Sequence, residues 1–435
     1  MARQIRKVVV IGANGAMGSG AGEVFAAAGI DTVFLARDHE KAREGRDRAI
    51  ALAKSERIAD HITLGSYDGD LGRTVPEADV VFEALAEDLP LKQKFFAEVD
   101  RLRRPNAIVA TVSSGLSIAA MAEGRSEAFS RHFLGIHLFN PPNVIVGCEV
   151  IPHAGTAREV VDFVGELLEG PLGRKVVETA DKPAFAGNRV GFKVLNEVAQ
   201  LAAEHGVAFI DALVGPHTGR ALSPLATIDL VGWDVHRAIV DNVFENTDDE
   251  ARDSFALPDY MAVLIDSGHL GDKTPARGGF YRRVRDGKET KLYILDPARQ
   301  EYHAASDVLT ELPEFVLRMK KLNHVGRYRQ AMGVLLEAPG WEADLLRTVI
   351  LGYVSYGLNR VGDVVRRASD IDRIMGYGFN WAPPTVLVDL MGAKEAIAAI
   401  EAAKLPVPPV LEEHAKRGGK FFEEPNVDPG RFFVG

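Results

Sequence analysis

The run from Lys7 to Gly29, KVVVIGANGAMGSGAGEVFAAAG, constrains the fold more than any other stretch of the chain. Its β-branched apolar core, Val8 to Ile11, reads as a parallel strand buried on both faces. It meets Gly12-Ala13-Asn14-Gly15-Ala16-Met17-Gly18 and then a helix of small and apolar residues. A strand, a glycine-rich turn and a helix in that order make a dinucleotide site. The glycines let the backbone approach a pyrophosphate, and the helix N-terminus supplies N–H donors and a partial positive charge. The spacing is GxxGxxG, one residue longer than GxGxxG. The bland alternative is a tight packing turn.

Strand and helix patterns then alternate up to about residue 180. Strands are expected at Thr32–Ala36, Ile62–Leu64, Val80–Glu83, Ala107–Thr111, Phe133–Phe139 and Glu149–Ile151. The stretch Asp38 to Arg57 reads as a charged helix, rich in Lys41, Arg43, Arg46, Arg48, Lys54 and Arg57. This is a doubly wound parallel sheet with extra strands at one edge. After Asp181-Lys182-Pro183 helical periodicity dominates, so a boundary is placed near Thr179–Pro183. A hairpin is expected near Tyr281–Leu295, with Asp286-Gly287 as its turn. The last fifteen residues, with Gly418-Gly419 just before them and Pro425, Pro429 and Gly430 within them, read as a loosely docked tail.

The helical half repeats itself. Ile210-Asp211-Ala212-Leu213-Val214-Gly215 is echoed by Ile371-Asp372-Arg373-Ile374-Met375-Gly376. Ser223-Pro224 answers Pro383-Pro384, and Asp229-Leu230-Val231-Gly232 answers Asp389-Leu390-Met391-Gly392. The offset is 161 residues at the start and 160 at the end. Such self-similarity points to two copies of one helical domain packed on each other. The expected architecture is therefore an α/β Rossmann-type dinucleotide-binding domain followed by two copies of an all-α domain. Its boundaries are 1–182, 183–282 and 283–435, the last holding a connecting hairpin, the second copy and the tail.

Composition narrows the class of protein. With 435 residues, 46% of them hydrophobic and 26% charged, the chain suits a multidomain globular protein. A net charge of -10 argues against a nucleic-acid partner. The single cysteine, Cys148, excludes an intrachain disulfide and a cysteine zinc site, fits a reducing cytoplasm, and reads as a small core residue. No metal is expected. The start, MARQIRKVVVIG, reaches the glycine turn after too few apolar residues for a signal-peptide core, and no run approaches a membrane span.

The chemistry gathers in GIHLFNPPNVIVGCEV, residues 135–150. Two apolar stretches joined by Asn140-Pro141-Pro142-Asn143 would bring His137 and Glu149 together. An imidazole held by a buried carboxylate is a general base fixed in one tautomer. Ser113-Ser114-Gly115 follows a strand at the carboxyl edge, where ligands sit in open α/β sheets. Asn188 opens the first long helix of the second half. A hydroxyl, an amide, an imidazole and a carboxylate beside a nicotinamide suit oxidation of a secondary alcohol. Equally, the serines could cap a helix and Asn188 could start one. Tyr377, Phe379 and Trp381 read as filling of the interface between the repeats.

From Lys7 to Tyr281 these residues resemble the L-3-hydroxyacyl-CoA dehydrogenase family. The carrying motifs are HLFNP at 137–141 with Glu149, TVSSGLSI at 111–118, Phe82-Glu83-Ala84 with Glu87 and Lys92, and Lys273-Thr274 to Gly279-Phe280-Tyr281. The resemblance implies NAD-dependent oxidation of an L-3-hydroxyacyl-CoA to the 3-ketoacyl-CoA, a step of fatty acid β-oxidation. It implies His137, Glu149, Ser114 and Asn188 as catalytic residues. It implies Gly12, Asn14, Gly15, Ala16, Met17, Gly18, Arg37, Asp38, Glu87, Lys92, Ser114 and Asn140 as cofactor-binding residues. It also implies that the basic stretch 41–57 embraces the coenzyme A portion. The duplicated helical domain resembles that of larger members, where one copy would stand in for a dimer partner. A monomer is expected, with a dimer as the alternative. No room is left for an enoyl-CoA hydratase domain, so a separate hydratase and a thiolase are the implied partners.

The chain departs from the family pattern at three places. The glycine turn is one residue longer, and Val112 and Gly115 flank the serine pair where polar residues are usual. The family's ribose-binding acid position falls on Arg37. An Arg there suits a 2′-phosphate, while Asp38 suits a 2′-hydroxyl. NAD is the expected cofactor and NADP the alternative. The rival functions are a dehydrogenase of a non-CoA hydroxy acid and a non-catalytic dinucleotide-binding protein.

Overall fold

The computed structural model describes residues 4–287, 289–308, 310–424 and 427–433. The chain forms two compact units. The first is Met1–Phe185 with Tyr377–Phe379, and the second is Ala186–Gly376 with Asn380–Gly435.

The first unit is built on an eight-stranded sheet. Its strands are β1 (Lys7–Ile11), β2 (Asp31–Ala36), β3 (Ile62–Ser66), β4 (Val80–Glu83), β5 (Ile108–Thr111), β6 (Phe133–Leu138), β7 (Gly147–Pro152) and β8 (Lys175–Glu178). They lie in the order β3-β2-β1-β4-β5-β6-β7-β8. All neighbours are parallel except β6 and β7. Side chains alternate between two apolar layers. Val8, Val10, Phe34, Phe82 and Ile108 enter one, and Val9, Ile11, Val33, Leu35, Val81 and Val109 enter the other. Each such side chain, once buried, contributes about 1.5–3 kcal/mol. That is why these strands read as continuous apolar runs. The strand order reverses between β1 and β4, which opens a crevice at their carboxyl ends.

Four helices matter for the site: α1 (Ala16–Ala27), α2 (His39–Ala53), α3 (Tyr67–Thr74) and α4 (Leu89–Leu102). Helix α1 lies tight on the sheet because its inner face is glycine. A Cβ on Gly22 would come within 2.3 Å of the Phe34 ring. The charged stretch expected as one helix to Arg57 stops at Ala53. Lys54 takes a left-handed conformation (φ 52°), and a short 3-10 turn, Glu56–His61, follows. Strand β8 was not legible, because Lys175-Val176-Val177-Glu178 is too short to show a period.

The second unit is mainly helical. Its helices Gly187–His205 and Trp341–Asn359 are buried all round over 187–196 and 349–358. They are tied by charge as well as packing: Arg189 Nε donates to the Tyr356 hydroxyl at 3.0 Å, and both groups bind Asp249. The hairpin is present as β9 (Tyr281–Asp286) and β10 (Glu289–Asp296), but a third antiparallel strand, β11 (Glu301–Ala304), joins it. Its four residues carry no apolar alternation, so the sequence did not announce it.

The carboxylates of the repeat make matching contacts. Asp211 accepts from Leu225 N at 2.8 Å, and Asp372 accepts from Thr385 N at 3.1 Å. Asp229 accepts from Phe280 N and Tyr281 N at 2.9 and 2.8 Å. Asp389 accepts from Phe421 N and Phe422 N at 2.8 and 3.0 Å. This corrects the expectation of a loosely docked tail. Phe421, Phe422, Phe432 and Phe433 are buried, and Phe433 stacks on Tyr328. Pro425 lies outside the described residues.

Candidate active site at the carboxyl edge of the sheet

The glycine turn fits a dinucleotide. Gly12 has φ 77° and lies so close to the end of β4 that a Cβ would meet Ala84 O at 2.3 Å. A Cβ on Gly18 would meet Gly12 O at 2.2 Å. Gly15 differs, since its Cβ position approaches nothing closer than 3.4 Å. It is the N-cap of α1, brings no capping side chain, and is followed by a first turn without acidic residues. The N–H groups of that turn are therefore presented to an anion without a competing carboxylate.

The additional residue of the turn has a partner. Arg48 of α2 donates to Asn14 O at 2.8 Å, and a Cβ on Gly45 would meet Ala13 O at 2.3 Å. Tyr67, opening α3, accepts from Gly12 N at 3.1 Å through its hydroxyl, and burial pushes its pKa up. Tyr67 was not singled out from the sequence, and Arg48 was named only as one cation of the basic stretch. Arg37 and Asp38 are exposed just past β2. Asp38 also caps α2, accepting from Lys41 N at 2.7 Å. Two other cations of α2 meet its own acids: Lys41 pairs with Glu44 and Arg46 with Asp47.

At the ends of β4 and β5 lies a buried ion pair. Lys92 Nζ donates to both Glu83 oxygens at 2.7 and 2.9 Å, and Thr111 Oγ1 donates to Glu83 Oε2 at 2.6 Å. Lys92 and Glu83 are both fully enclosed. Lys92 thus holds the strand ends together, and its amine faces protein. Glu83 was read from the sequence only within the Phe82-Glu83-Ala84 motif; its mark is a carboxylate ending an apolar strand, Val80-Val81-Phe82-Glu83. Glu87, by contrast, is exposed. Its Oε1 accepts from Ser113 Oγ at 2.5 Å, Ser114 N at 2.8 Å and Gly115 N at 3.2 Å. The following helix, Ile118–Ala122, is capped by Ser117, so the Ser113-Ser114 pair is not its cap. Asp181 also holds that helix start, accepting from Ile118 N and Ala119 N.

One strand further on, His137 and Glu149 are register partners in the antiparallel β6–β7 pair. His137 Nδ1 lies 2.7 Å from Glu149 Oε2, with the ring 3% exposed and the acid 0%. Phe139 meets the imidazole edge-on at 4.8 Å between centroids, and Phe185 lies at 5.7 Å. Cys148 is buried, and burial pushes its thiol pKa far up, so it stays a neutral core residue. Asn140 is exposed just after β6, before a cis peptide bond to Pro141. Asn188 belongs to the second unit, buried at the start of helix Gly187–His205.

Tyr377 and Phe379 require a correction. They do not fill the repeat; the segment Tyr377–Phe379 packs with the sheet unit, where Phe379 meets Phe139 edge-on at 5.7 Å. Trp381 stays in the helical unit, with the Arg220 guanidinium 4.8 Å from its ring. Among the described residues no group of three or more His, Cys, Asp or Glu could hold a metal ion, and no helix is long and apolar enough to cross a membrane.

A glycine cradle on β1, a serine loop after β5 and a carboxylate-held imidazole on β6 thus share one edge. The 3-hydroxyacyl-CoA dehydrogenase NAD binding domain matches residues 7–182, and the C-terminal domain of the same family matches residues 185–283. The chain belongs to the 3-hydroxyacyl-CoA dehydrogenase family. Residues 7–182 are thus the family's NAD-binding domain. A probable 3-hydroxyacyl-CoA dehydrogenase of Deinococcus radiodurans is 34% identical over 302 residues, covering 66% of this chain and 85% of that protein. A probable 3-hydroxyacyl-CoA dehydrogenase of Bacillus subtilis (strain 168) is 29% identical over 451 residues. That alignment takes in 97% of this chain, which spans only 55% of the Bacillus protein. The crystal structure of 3-hydroxybutyryl-CoA dehydrogenase from Escherichia coli K12 has the same fold. Its TM-score is 0.71 at 20% identity, over 95% of this chain and 99% of that chain.

Proposed function

We propose that the chain oxidises an L-3-hydroxyacyl-CoA to the 3-ketoacyl-CoA, a step of fatty acid β-oxidation. The observation that carries this is the His137–Glu149 pair, 2.7 Å apart and enclosed, on the strand next to the serine loop. Held by the glycine turn, NAD would supply the acceptor for the hydride that leaves the carbinol carbon. His137 Nε2 takes the hydroxyl proton as that carbon is oxidised. Glu149 keeps the Nδ1 proton in place and offsets the imidazolium charge. Ser114 donates to the developing carbonyl oxygen. Asn188 is assigned as a second donor by family resemblance alone.

Gly12, Gly15 and Gly18, with Asn14, Ala16 and Met17, form the pyrophosphate cradle in this reading. Arg37 and Asp38 meet the ribose. Glu87 acts on the nicotinamide side and Asn140 beyond it. Lys92 contributes by position, holding Glu83 and the strand ends. The catalytic half is residues 1–182, with the helical domain in two copies, 183–282 and 283–435. Supporting the duplication, Asp211 and Asp372 bind backbone N–H groups thirteen or fourteen residues on, and Asp229 and Asp389 each bind two consecutive aromatic residues. An internal second copy favours a monomer. An enoyl-CoA hydratase and a thiolase are the enzymes expected to supply the substrate and consume the product.

The test is reduction of acetoacetyl-CoA, followed at the nicotinamide absorbance, with NADH and NADPH in parallel. Turnover with NADH, abolished in His137→Gln while NADH still binds, is the expected result. Undiminished turnover in that variant removes His137 as the base. A preference for NADPH assigns the ribose to Arg37.

A further inference from the structure

Topology fixes what lies on either side of His137. A dinucleotide held by the glycine turn would cross the carboxyl ends of the parallel strands from β2 through β1 toward β4 and β5. His137 stands on β6, one strand further. The reacting carbon must sit between the nicotinamide and the imidazole. Substrate atoms leaving that carbon away from the cofactor therefore meet the region of β6, β7 and β8.

That region is occupied by a turn from far along the chain. Phe139 follows β6, Gly147 begins β7 and Lys175 begins β8, so all three lie at the same edge. The turn Met375–Phe379 is a π-helix, a wide and uncommon geometry that is frequent at functional sites. It ends at Asn380 in the left-handed region (φ 54°). Its seat is close. A Cβ on Gly147 would lie 2.5 Å from Gly378 N, and one on Gly378 would lie 3.0 Å from the Phe139 ring. Lys175 Nζ faces the Tyr377 ring at 5.5 Å. Phe379 meets Phe139, and Phe139 meets His137. An unbroken line of rings thus runs outward from the general base. Phe139 and Phe379 offer a hydrocarbon a dry surface.

We propose that Phe379, at the outer end of the line His137–Phe139–Phe379, is the end wall of the acyl pocket and limits the length of acyl chain accepted. Phe379 is a specificity-determining residue here, with no part in proton transfer. The inference rests on the hydroxyacyl-CoA reading of His137.

The experiment measures kcat/KM of the full chain, with NADH, on acetoacetyl-CoA, 3-ketooctanoyl-CoA and 3-ketohexadecanoyl-CoA. Phe379→Ala should raise the ratio of the longest to the shortest substrate by about tenfold or more, the scale of discrimination from a few methylene contacts. Phe379→Leu should give a smaller shift in the same direction, and the KM for NADH should not move. A ratio unchanged within about twofold, or a parallel loss on all three substrates, overturns the proposal. If Phe379→Ala loses its cooperative thermal transition, the leucine variant decides by the same ratio. A wild-type chain that binds NADH but reduces none of the three is a different failure. It removes the hydroxyacyl-CoA reading, and the wall falls with it.

Discussion

His137 Nδ1 and Glu149 Oε2 lie 2.7 Å apart across the one antiparallel pair of an otherwise parallel-paired sheet. The reversal from β6 to β7 is what makes them neighbours. It returns the chain on the adjacent strand, so a residue near the end of β6 faces one near the start of β7.

Glu149→Gln should keep the fold and lose most of the rate. The amide can still meet Nδ1, but it no longer offsets the imidazolium charge. A fall in kcat of about 10²–10⁴ is expected, the range for a general base deprived of its support. Steady-state kinetics with a parallel NADH titration measures it. Loss of NADH binding to the same degree would make Glu149 a structural residue.

Gly18→Ala places a methyl group 2.2 Å from Gly12 O, which is backbone and has little room to yield. Overpacking of this kind costs about 1–3 kcal/mol. Since the strain falls on the cradle itself, the Kd for NADH should rise by about tenfold or more. Fluorescence titration of bound NADH reads this directly. Gly29→Ala serves as the control, because nothing lies within 4 Å of its Cβ position and any cost comes from its φ of 76° alone.

Lys92→Met should unfold the chain more easily. It strands the enclosed Glu83 carboxylate, a loss of about 3–5 kcal/mol for a broken buried pair. Combining it with Glu83→Gln should restore part of that stability, because the abandoned charge is removed. Urea denaturation of both variants tests the sign of the coupling.

His236 sets a pH dependence. It is wholly buried, its Nε2 lies 2.9 Å from Asn196 Oδ1, and burial lowers its pKa from 6.5 to about 3. The unfolded chain therefore binds a proton that the folded chain refuses between those values. Its contribution is complete above pH 6.5 and is lost as pH falls toward about 3. One such proton changes stability by about 1.4 kcal/mol per pH unit. His236→Gln should flatten the slope of unfolding free energy against pH by that amount around pH 5. A slope equal to that of the wild type would mean that His236 titrates alike in both states.

What the sequence by itself determined is the part written in consecutive residues. The β1 strand, its glycine turn and α1 follow from local periodicity and from the need for missing side chains at Gly12 and Gly18. The pairing of His137 with Glu149 follows from two apolar runs on either side of a Pro-rich turn. The echo of Asp211 by Asp372 is legible because self-similarity needs no knowledge of packing. Tertiary structure decided the rest. Lys92 carries no mark in the sequence that tells a cofactor contact from a buried partner of Glu83; only enclosure on every side distinguishes them. The tail looks loose by composition, yet Asp389 and Tyr328 hold it. Tyr377 and Phe379 read as filling of the interface between the repeats, because an aromatic side chain states that it will be buried and not against what. Their seat on β6, β7 and β8 depends on the close backbone approach of Gly147 and Gly378, a fit between distant segments that no local pattern encodes.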